Sequence, residues 1–335
     1  MREVDEIAQR LTPRAWGRFI DLAVKRHRVA PILSGALRGV SIPGEVLEAL
    51  QGAARDAGIA ALRQKAETLR IVDALGSVGI RPALLKGWAL AERLYGSAGM
   101  RQSRDLDLLV TDAEFDEAAR ELGRIGYVAD FEPCSDEMAL PPSARVSKDI
   151  ELRLPGADFT VELHARSIAY RGWPGLDALD GGMLVQRIDQ TGRTIMVPSP
   201  RGDLVFLSVH GLQHVFSRLR WLHDIATLIE GRSDAKLAED LAAAISIDAG
   251  HFVRISALLA VLVFGSRWPS SWRRPALAER VAARLILGAI PGEGFAESGG
   301  IDAWRRVALK FLVAGTLSQR LSLLSRSKRM LFDRE

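Results

Sequence analysis

The amino-acid sequence predicts an α+β protein in which a mixed core lies between two helical regions. Residues 1–78 carry apolar side chains at helical spacing. Residues 79–200 contain short apolar or alternating runs bounded by turn residues, which predicts a sheet of about four or five strands. Helical spacing returns in residues 201–335. We therefore expect an N-terminal helical region, an α/β core and a C-terminal helical domain with these boundaries.

The composition is that of a globular protein of ordinary polarity. The chain has 335 residues, of which 48% are hydrophobic and 26% charged, with a formal net charge of +4. A phosphate-bearing ligand, an RNA or a membrane surface could each use such a balance, and so could a plain arginine-rich surface. The single cysteine, Cys134, excludes an internal disulfide and favours a cytoplasmic location. The apolar run at residues 255–265 is too short to span a membrane, and the N-terminus lacks a signal peptide's apolar core.

The first half of the core alternates strands with helices. Residues 80–87 (IRPALLKG) predict a strand, and residues 88–96 (WALAERLYG) predict a short helix. Residues 105–110 (DLDLLV) predict the next strand. Residues 111–126 predict a helix, because a threonine at the N-cap is followed by early acids and apolar residues three and four apart.

The second half of the core is richer in strands. Residues 127–130 (YVAD) predict a strand or strand edge. Residues 149–154 (DIELRL) and 159–165 (FTVELHA) alternate and are joined by PGAD, which predicts a β-hairpin. Residues 193–197 (RTIMV) predict the last strand.

The C-terminal region begins with a helix-start pattern. Ser199 suits the N-cap and Pro200 the first helical position. Residues 302–324 are strongly amphipathic, which favours packing on the core over a helix lying on a membrane surface.

An Asp-x-Asp pair opens the strand at residues 105–110. Because side chains alternate along a strand, Asp105 and Asp107 project from the same face. Two neighbouring carboxylates repel each other unless a cation lies between them, and Mg²⁺ prefers such oxygen ligands. A solvent-facing strand edge is the alternative. A phosphatase with an aspartate nucleophile is disfavoured, because there the acids follow the apolar strand instead of preceding it.

Two further features of the core could act together with the acid pair. Lys86 and Gly87 form a strand-to-helix turn, where a helix N-terminus can bind an anion, although a structural glycine beside a surface lysine would look the same. Glu162 shares a strand face with Thr160 and His164, so it could complete a metal site or simply pair with an arginine. His164 could contact metal ligands or the acceptor, or be a buried, hydrogen-bonded histidine.

Four polar or aromatic residues of the C-terminal region form another candidate group. On a continuous helix, His210, His214, Trp221 and Asp224 would lie within about 80° of one another, at 100° per residue. We expect them to line an acceptor pocket or to hold the active-site strands. A zinc site is disfavoured because the sequence HGLQH lacks the glutamate of the zinc-protease motif.

These motifs, in this order, resemble the uncharacterised nucleotidyltransferase family within the DNA polymerase β-like nucleotidyltransferase superfamily. The similarity runs over roughly residues 15–230. The resemblance implies a polymerase β-like core, with Gly87 as the turn glycine. It implies Asp105, Asp107 and Glu162 as the catalytic, metal-binding acids.

The resemblance also implies a set of nucleotide contacts: Lys86, Gly87, Trp88, Arg101 and Ser103. Trp88 departs from the superfamily, which usually has a small serine or glycine there. Arg101 is expected either to hold a phosphate or to position the acid pair through a salt bridge.

The activity implied is transfer of an NMP from an NTP to a hydroxyl or similar acceptor, with two Mg²⁺ ions bound and pyrophosphate released. The expected acceptor is a small molecule or a peptide or protein. Nucleic acid is disfavoured because the charge is modest and no basic tail is present. The alternatives are an RNA-directed transferase, or a non-catalytic module of the same fold that senses nucleotides or binds a partner.

Overall fold

The computed structural model describes residues 2–129, 149–168, 173–175, 183–188, 192–290, 301–321 and 323. Cys134 and most of residues 322–335 lie outside the described residues.

Helices make up most of the described chain. They are α1 (Arg2–Arg10), α2 (Pro13–Asp21), α3 (Ala30–Ala36), α4 (Gly44–Ser77), α5 (Gly87–Tyr95), α6 (Phe115–Arg124), α7 (Pro200–Gln213), α8 (Leu219–Glu230), α9 (Asp234–Ser246), α10 (Gly250–Phe264), α11 (Leu277–Ala289) and α12 (Ile301–Val313). A short π-helix (Leu22–Arg26) follows α2, and a 3₁₀ turn (Ala98–Met100) follows α5.

Seven strands occur within the described residues, and they form one mixed sheet. They are β1 (Ala83–Leu84), β2 (Asp105–Leu109), β3 (Val128–Ala129), β4 (Asp149–Arg153), β5 (Thr160–His164), β6 (Leu184–Ile188) and β7 (Thr194–Pro198). The order across the sheet is β3-β4-β5-β2-β1-β7-β6. The central pair, β2 and β5, is parallel, while β4 and β5 form the predicted antiparallel hairpin.

The two faces of the central strands have different surroundings. Leu106, Leu108, Val161 and Leu163 belong to a core cluster that also includes residues of α4, α5 and α6. Leu109, one position beyond Leu108, instead packs in the cluster built mainly from the C-terminal helices. The polar residues of β2 and β5 therefore face the side on which α7 and α8 lie.

The structure confirms the predicted fold class, and it adds strands to it. The expectation of four or five strands is too low. The strand missed by the sequence argument is β6, whose residues read LVQRI and whose Val185 is exposed. An edge strand with a polar centre has no clear alternation, so the period-two test does not detect it.

The prediction of one continuous helix through residues 210–224 is wrong. The chain leaves α7 at Gln213 and enters α8 at Leu219. Val215 and Phe216 between them have φ angles of 53° and 43°, the left-handed region that non-glycine residues seldom adopt. Phe216 is fully buried, and a Cβ on Gly211 would lie 2.3 Å from its ring. Burial of this ring against a glycine therefore stabilises a bend that contains no proline or glycine of its own.

Candidate functional site

Two parallel strands bring the sequence-predicted acids together. In the β2–β5 register Asp107 lies opposite Glu162, and Asp105 lies opposite Thr160. Neighbouring strands are about 4.8 Å apart, so facing side chains on one side of the sheet can share a ligand. The alternation of both strands placed Glu162 on this face, and the register puts it directly beside Asp107.

Asp107 is the centre of a group that could hold a cation. Ligand atoms of Asp107, Glu162 and His164 all lie within 4.8 Å of one another. Lys86 Nζ lies 2.9 Å from Asp107 Oδ1, and His164 Nε2 lies 3.2 Å from the same oxygen. The other oxygen, Asp107 Oδ2, is buried and has no hydrogen-bond partner. One carboxylate oxygen is thus held in place while the other is left for a ligand.

The charge state of Asp107 fits this arrangement. Burial alone would raise the pKa of this carboxyl, but the Lys86 ammonium and the His164 ring outweigh burial and hold the pKa well below its usual range. An ionised, buried carboxylate with an unpaired oxygen is costly unless a cation or a donor satisfies it. Asp107 and Glu162 supply the oxygen ligands that Mg²⁺ prefers, and the residues present fit such an ion.

The imidazole of His164 contacts acids through both ring nitrogens. Its Nε2 lies 3.4 Å from Glu162 Oε2 as well as close to Asp107, and its Nδ1 lies 3.5 Å from Asp149 Oδ2. A histidine held in this way fixes the positions of the carboxylates around it.

Asp105 has different partners although it lies only two residues away. Ser103 Oγ donates to Asp105 Oδ1 at 2.9 Å, and the Arg104 backbone N–H donates to the same oxygen at 3.3 Å. Burial and the nearby Asp107 charge would raise the pKa of Asp105, but Lys86, Arg220 and the Ser103 hydrogen bond outweigh them and lower it. Asp105 is not part of the three-residue group around Asp107.

The Lys86–Gly87 turn lies directly beside Asp107. The Leu85 backbone N–H donates to the Asp107 carbonyl at 3.0 Å, which fixes the end of β1 against β2. Gly87 then begins α5 with φ at +70°, a conformation that favours glycine. Lys86, at the N-cap, makes no side-chain cap bond to α5. The first N–H groups of a helix have no partner within the helix, so this end suits an anion.

The Trp88 side chain points into the core and away from this turn. It is 1% exposed, and its Nε1 donates to Thr68 Oγ1 of α4 at 3.0 Å. Lys65 lies over the ring at 4.9 Å. The indole therefore fastens α5 to α4, and the first turn of α5 meets the site through its backbone.

Arg101 forms an ion pair, but its partner is Asp224 and not either member of the acid pair. Its Nε lies 3.0 Å from Asp224 Oδ2, while the Tyr95 hydroxyl donates to Asp224 Oδ1 at 2.7 Å. Arg101 and Asp224 are both almost fully buried. The two terminal nitrogens of Arg101 are buried too, and they have no hydrogen-bond partner.

Three of the four residues predicted on one helix do meet, across the bend between α7 and α8. The His210 and His214 rings are 4.7 Å apart, and each is 5.4 Å from the Trp221 ring. Phe206 adds a further ring 5.5 Å from His210, and Lys86 Nζ lies 6.0 Å from the Phe206 ring. We call Phe206, His210, His214 and Trp221 the aromatic wall. Asp224 is not part of it and instead pairs with Arg101.

Sequence reasoning missed three arginines that act on Asp105. Arg28, Arg218 and Arg220 interact electrostatically with its carboxylate. Two of them lie in the run SRLRW beside the predicted Trp221. The basic residues around an aromatic residue were the available indication, but nothing in the sequence linked them to residue 28.

The chain matches the model of a known protein family. The family model described as "Uncharacterised nucleotidyltransferase" matches residues 12–265. No curated protein matches the chain. Among the described residues no helix is long and apolar enough to cross a membrane. Since the match covers about three quarters of the 335 residues, including the acid pair, Glu162 and the Lys86–Gly87 turn, the chain belongs to the uncharacterised nucleotidyltransferase family.

Proposed function

We propose that the protein transfers a nucleoside monophosphate from an NTP to a hydroxyl or similar group of a small molecule, a peptide or a protein, and releases pyrophosphate. The observation that carries this proposal is the group of Asp107, Glu162 and His164 beside the Lys86–Gly87 turn. A candidate cation site and a candidate phosphate site therefore lie next to each other in one short stretch of the sheet. In this proposal residues 79–200 form the catalytic core, and α7 and α8 of the C-terminal domain close it.

The protein's own residues divide the work of binding the phosphates and the metal ion. The N–H groups at the start of α5 and the Lys86 ammonium bind the phosphates. Asp107 and Glu162 hold Mg²⁺, and Asp105 extends the same acidic face. When bound, Mg²⁺ supplies charge neutralisation of the phosphates and activation of the acceptor oxygen.

His164 acts by positioning. Its contacts with Asp107, Glu162 and Asp149 hold the acids in one arrangement before a ligand arrives. Phosphoryl chemistry needs little covalent help from the protein, so preorganised charge and alignment carry most of the rate enhancement.

The aromatic wall is proposed to line the pocket beyond the phosphates. It starts near Lys86 and includes the exposed His214. Planar rings at this place suit a nucleobase or a cyclic acceptor, because stacking requires only a flat face.

Transfer can be tested with each labelled NTP, Mg²⁺ and a cell extract as the source of acceptor. We expect one or more extract components to become labelled with NMP, in step with pyrophosphate release, and labelling to stop when EDTA removes the metal. Absence of label with all four NTPs, together with absence of Mg²⁺-dependent NTP binding by calorimetry, would favour the non-catalytic binding module.

A further inference from the structure

The side of Asp105 away from the Asp107 group carries a concentration of arginine side chains. We call Arg28, Arg101, Arg218 and Arg220 the arginine cluster. They come from three separate parts of the chain: the loop before α3 (Arg28), the segment before β2 (Arg101), and the start of α8, where Arg218 is the N-cap and Arg220 lies in the first turn. The Leu219 backbone N–H donates to His27 Nδ1 at 3.3 Å, which fastens the loop of Arg28 to the bend of Arg218 and Arg220. The Arg101–Asp224 pair fastens the segment before β2 to α8.

The cluster holds more positive charge than its acidic neighbours offset. Four guanidinium groups meet two carboxylates, those of Asp105 and Asp224, among the described residues that act on them most strongly. Burial and repulsion from neighbouring arginines, Arg218 foremost, lower the pKa of Arg28 to about 10. The same two causes lower the pKa of Arg220, where Arg101 is the leading neighbour. The pKa of Arg101 is raised instead, because its ion pair with Asp224 outweighs burial.

Several donors of the cluster are buried and have no hydrogen-bond partner. They are Nη1 and Nη2 of Arg101, and Nε and Nη1 of Arg220. Arg101 is 1% exposed and Arg220 is 3% exposed. A buried guanidinium N–H without an acceptor is costly, and an anion is the ligand that would satisfy several of them at once.

The cluster and the Lys86–Gly87 turn are different anion sites. Lys86 is paired with Asp107, whereas Arg218 stacks over Trp221 at 5.4 Å at the far end of the aromatic wall. Asp105 lies between them and interacts with both Lys86 and Arg220. If the NTP phosphates occupy the Lys86 end, the arginine end is left for the other substrate.

From this geometry we propose that the arginine cluster binds a phosphate group of the acceptor, so that the acceptor is a phosphorylated small molecule. That the bound phosphate belongs to an acceptor rests on the proposed transfer reaction. The existence of an anion site at the arginine cluster does not depend on that reaction. Arginine forks match phosphate oxygens in pairs, and the uncompensated charge suits a dianion better than a single carboxylate. The depth of Arg101 and Arg220 suits a small group better than a polymer backbone.

The test uses inorganic phosphate as the probe and calorimetry of the full-length protein as the readout. We expect Arg220→Gln and Arg218→Gln each to weaken phosphate binding at least about tenfold. Arg284→Gln is the matched control, because it removes one exposed arginine from α11, and it should leave phosphate binding unchanged. Thermal melting establishes that each variant is folded. Arg218 is only half-buried, so its variant keeps the test valid if Arg220→Gln unfolds.

A second arm separates the acceptor site from the NTP site. With a non-hydrolysable NTP analogue and Mg²⁺ at saturation, we expect phosphate affinity to stay within about threefold, and Lys86→Gln to weaken only the analogue. Displacement of phosphate by the analogue would overturn the proposal and assign the arginines to the triphosphate. Unchanged phosphate binding in both arginine variants would also overturn the proposal. So would much tighter binding of a single-stranded oligonucleotide than of phosphate, with a steep salt dependence. If the analogue does not bind at all, the transfer function fails while the phosphate titration still decides on the anion site.

Discussion

Asp105 and Asp107 lie two residues apart on the same face of β2, yet their surroundings are opposite in charge. Asp107 contacts one lysine and lies among Glu162, His164 and, through His164, Asp149. Asp105 is held by Ser103 and interacts with Arg28 of the loop before α3 and Arg218 at the start of α8. The acid-rich side suits a cation and the arginine-rich side suits an anion. A repeated residue type on one strand face therefore does not imply one shared role, because the elements packed against each end of the strand decide the charge.

The largest effect is expected at the acid-rich side. Asp107→Asn keeps the size of the side chain but removes the charge next to the unpaired oxygen, so transfer should fall by about 10³-fold or more, the equivalent of about 4 kcal/mol in the barrier. Initial rates of pyrophosphate release measure this. Asp112→Asn, at an exposed aspartate just beyond β2, should retain full activity. Full activity in the Asp107 variant would remove the metal site from the mechanism.

His164→Gln tests whether the histidine positions the acids. We expect the rate to fall by about 10–100-fold, which is typical when a residue that orients ligands is lost. If the role is positioning, higher Mg²⁺ concentration should restore part of the rate, whereas the KM for NTP should change little. A rate that no Mg²⁺ concentration improves would contradict this role.

Asp105→Asn should distinguish the arginine-rich side of β2 from the acid-rich side, because it should strengthen phosphate binding whereas Asp107→Asn should not. Without the aspartate charge the arginine cluster has a larger positive excess, so phosphate should bind about tenfold more tightly in the absence of metal. Asp107→Asn should leave phosphate affinity within about twofold. Titration calorimetry of both variants measures the contrast, and equal responses would show that the two aspartates share one electrostatic environment.

The smallest effect is expected at Trp88, which lies on neither the acid-rich nor the arginine-rich side of β2. Trp88→Phe removes the indole donor to Thr68, and we expect the free energy of unfolding to fall by about 1–2 kcal/mol. The KM for NTP should remain within about twofold, since the ring does not face the turn. Thr68→Val breaks the same hydrogen bond from the other side, and the double variant should cost little more than either single one. A large rise in KM would place the indole at the nucleotide after all.

The parts of the site that follow from strand alternation were predictable from the sequence. Period two placed Glu162 and His164 on one face, and the β2–β5 register puts that face beside Asp107. The Lys86–Gly87 turn was predictable for a related reason, because an apolar run that ends at glycine before a helical pattern marks a strand-to-helix turn.

The arginine cluster was not predictable, because its members are far apart in sequence and share no period. Arg28 and Arg220 are brought together by a tertiary hydrogen bond between His27 and Leu219, and no local pattern encodes such a contact. The bend before α8 was missed because left-handed residues are usually glycine, whereas here they are Val215 and Phe216. The inward direction of Trp88 accompanies its packing in the core and its hydrogen bond to a hydroxyl of α4, and local patterns encode neither contact.

The bend between α7 and α8 has a consequence for sorting genomes. It leads directly to Arg218 and Arg220, and inside it the Phe216 ring occupies the space that a side chain at Gly211 would fill. Related chains that keep a glycine and, five residues later, a large aromatic residue are expected to keep the bend. Chains that have lost this glycine are expected to shift the aromatic ring and alter the bend, even where both arginines remain. The pair at positions 211 and 216 is therefore a two-letter marker that is expected to divide relatives by whether they keep this bend.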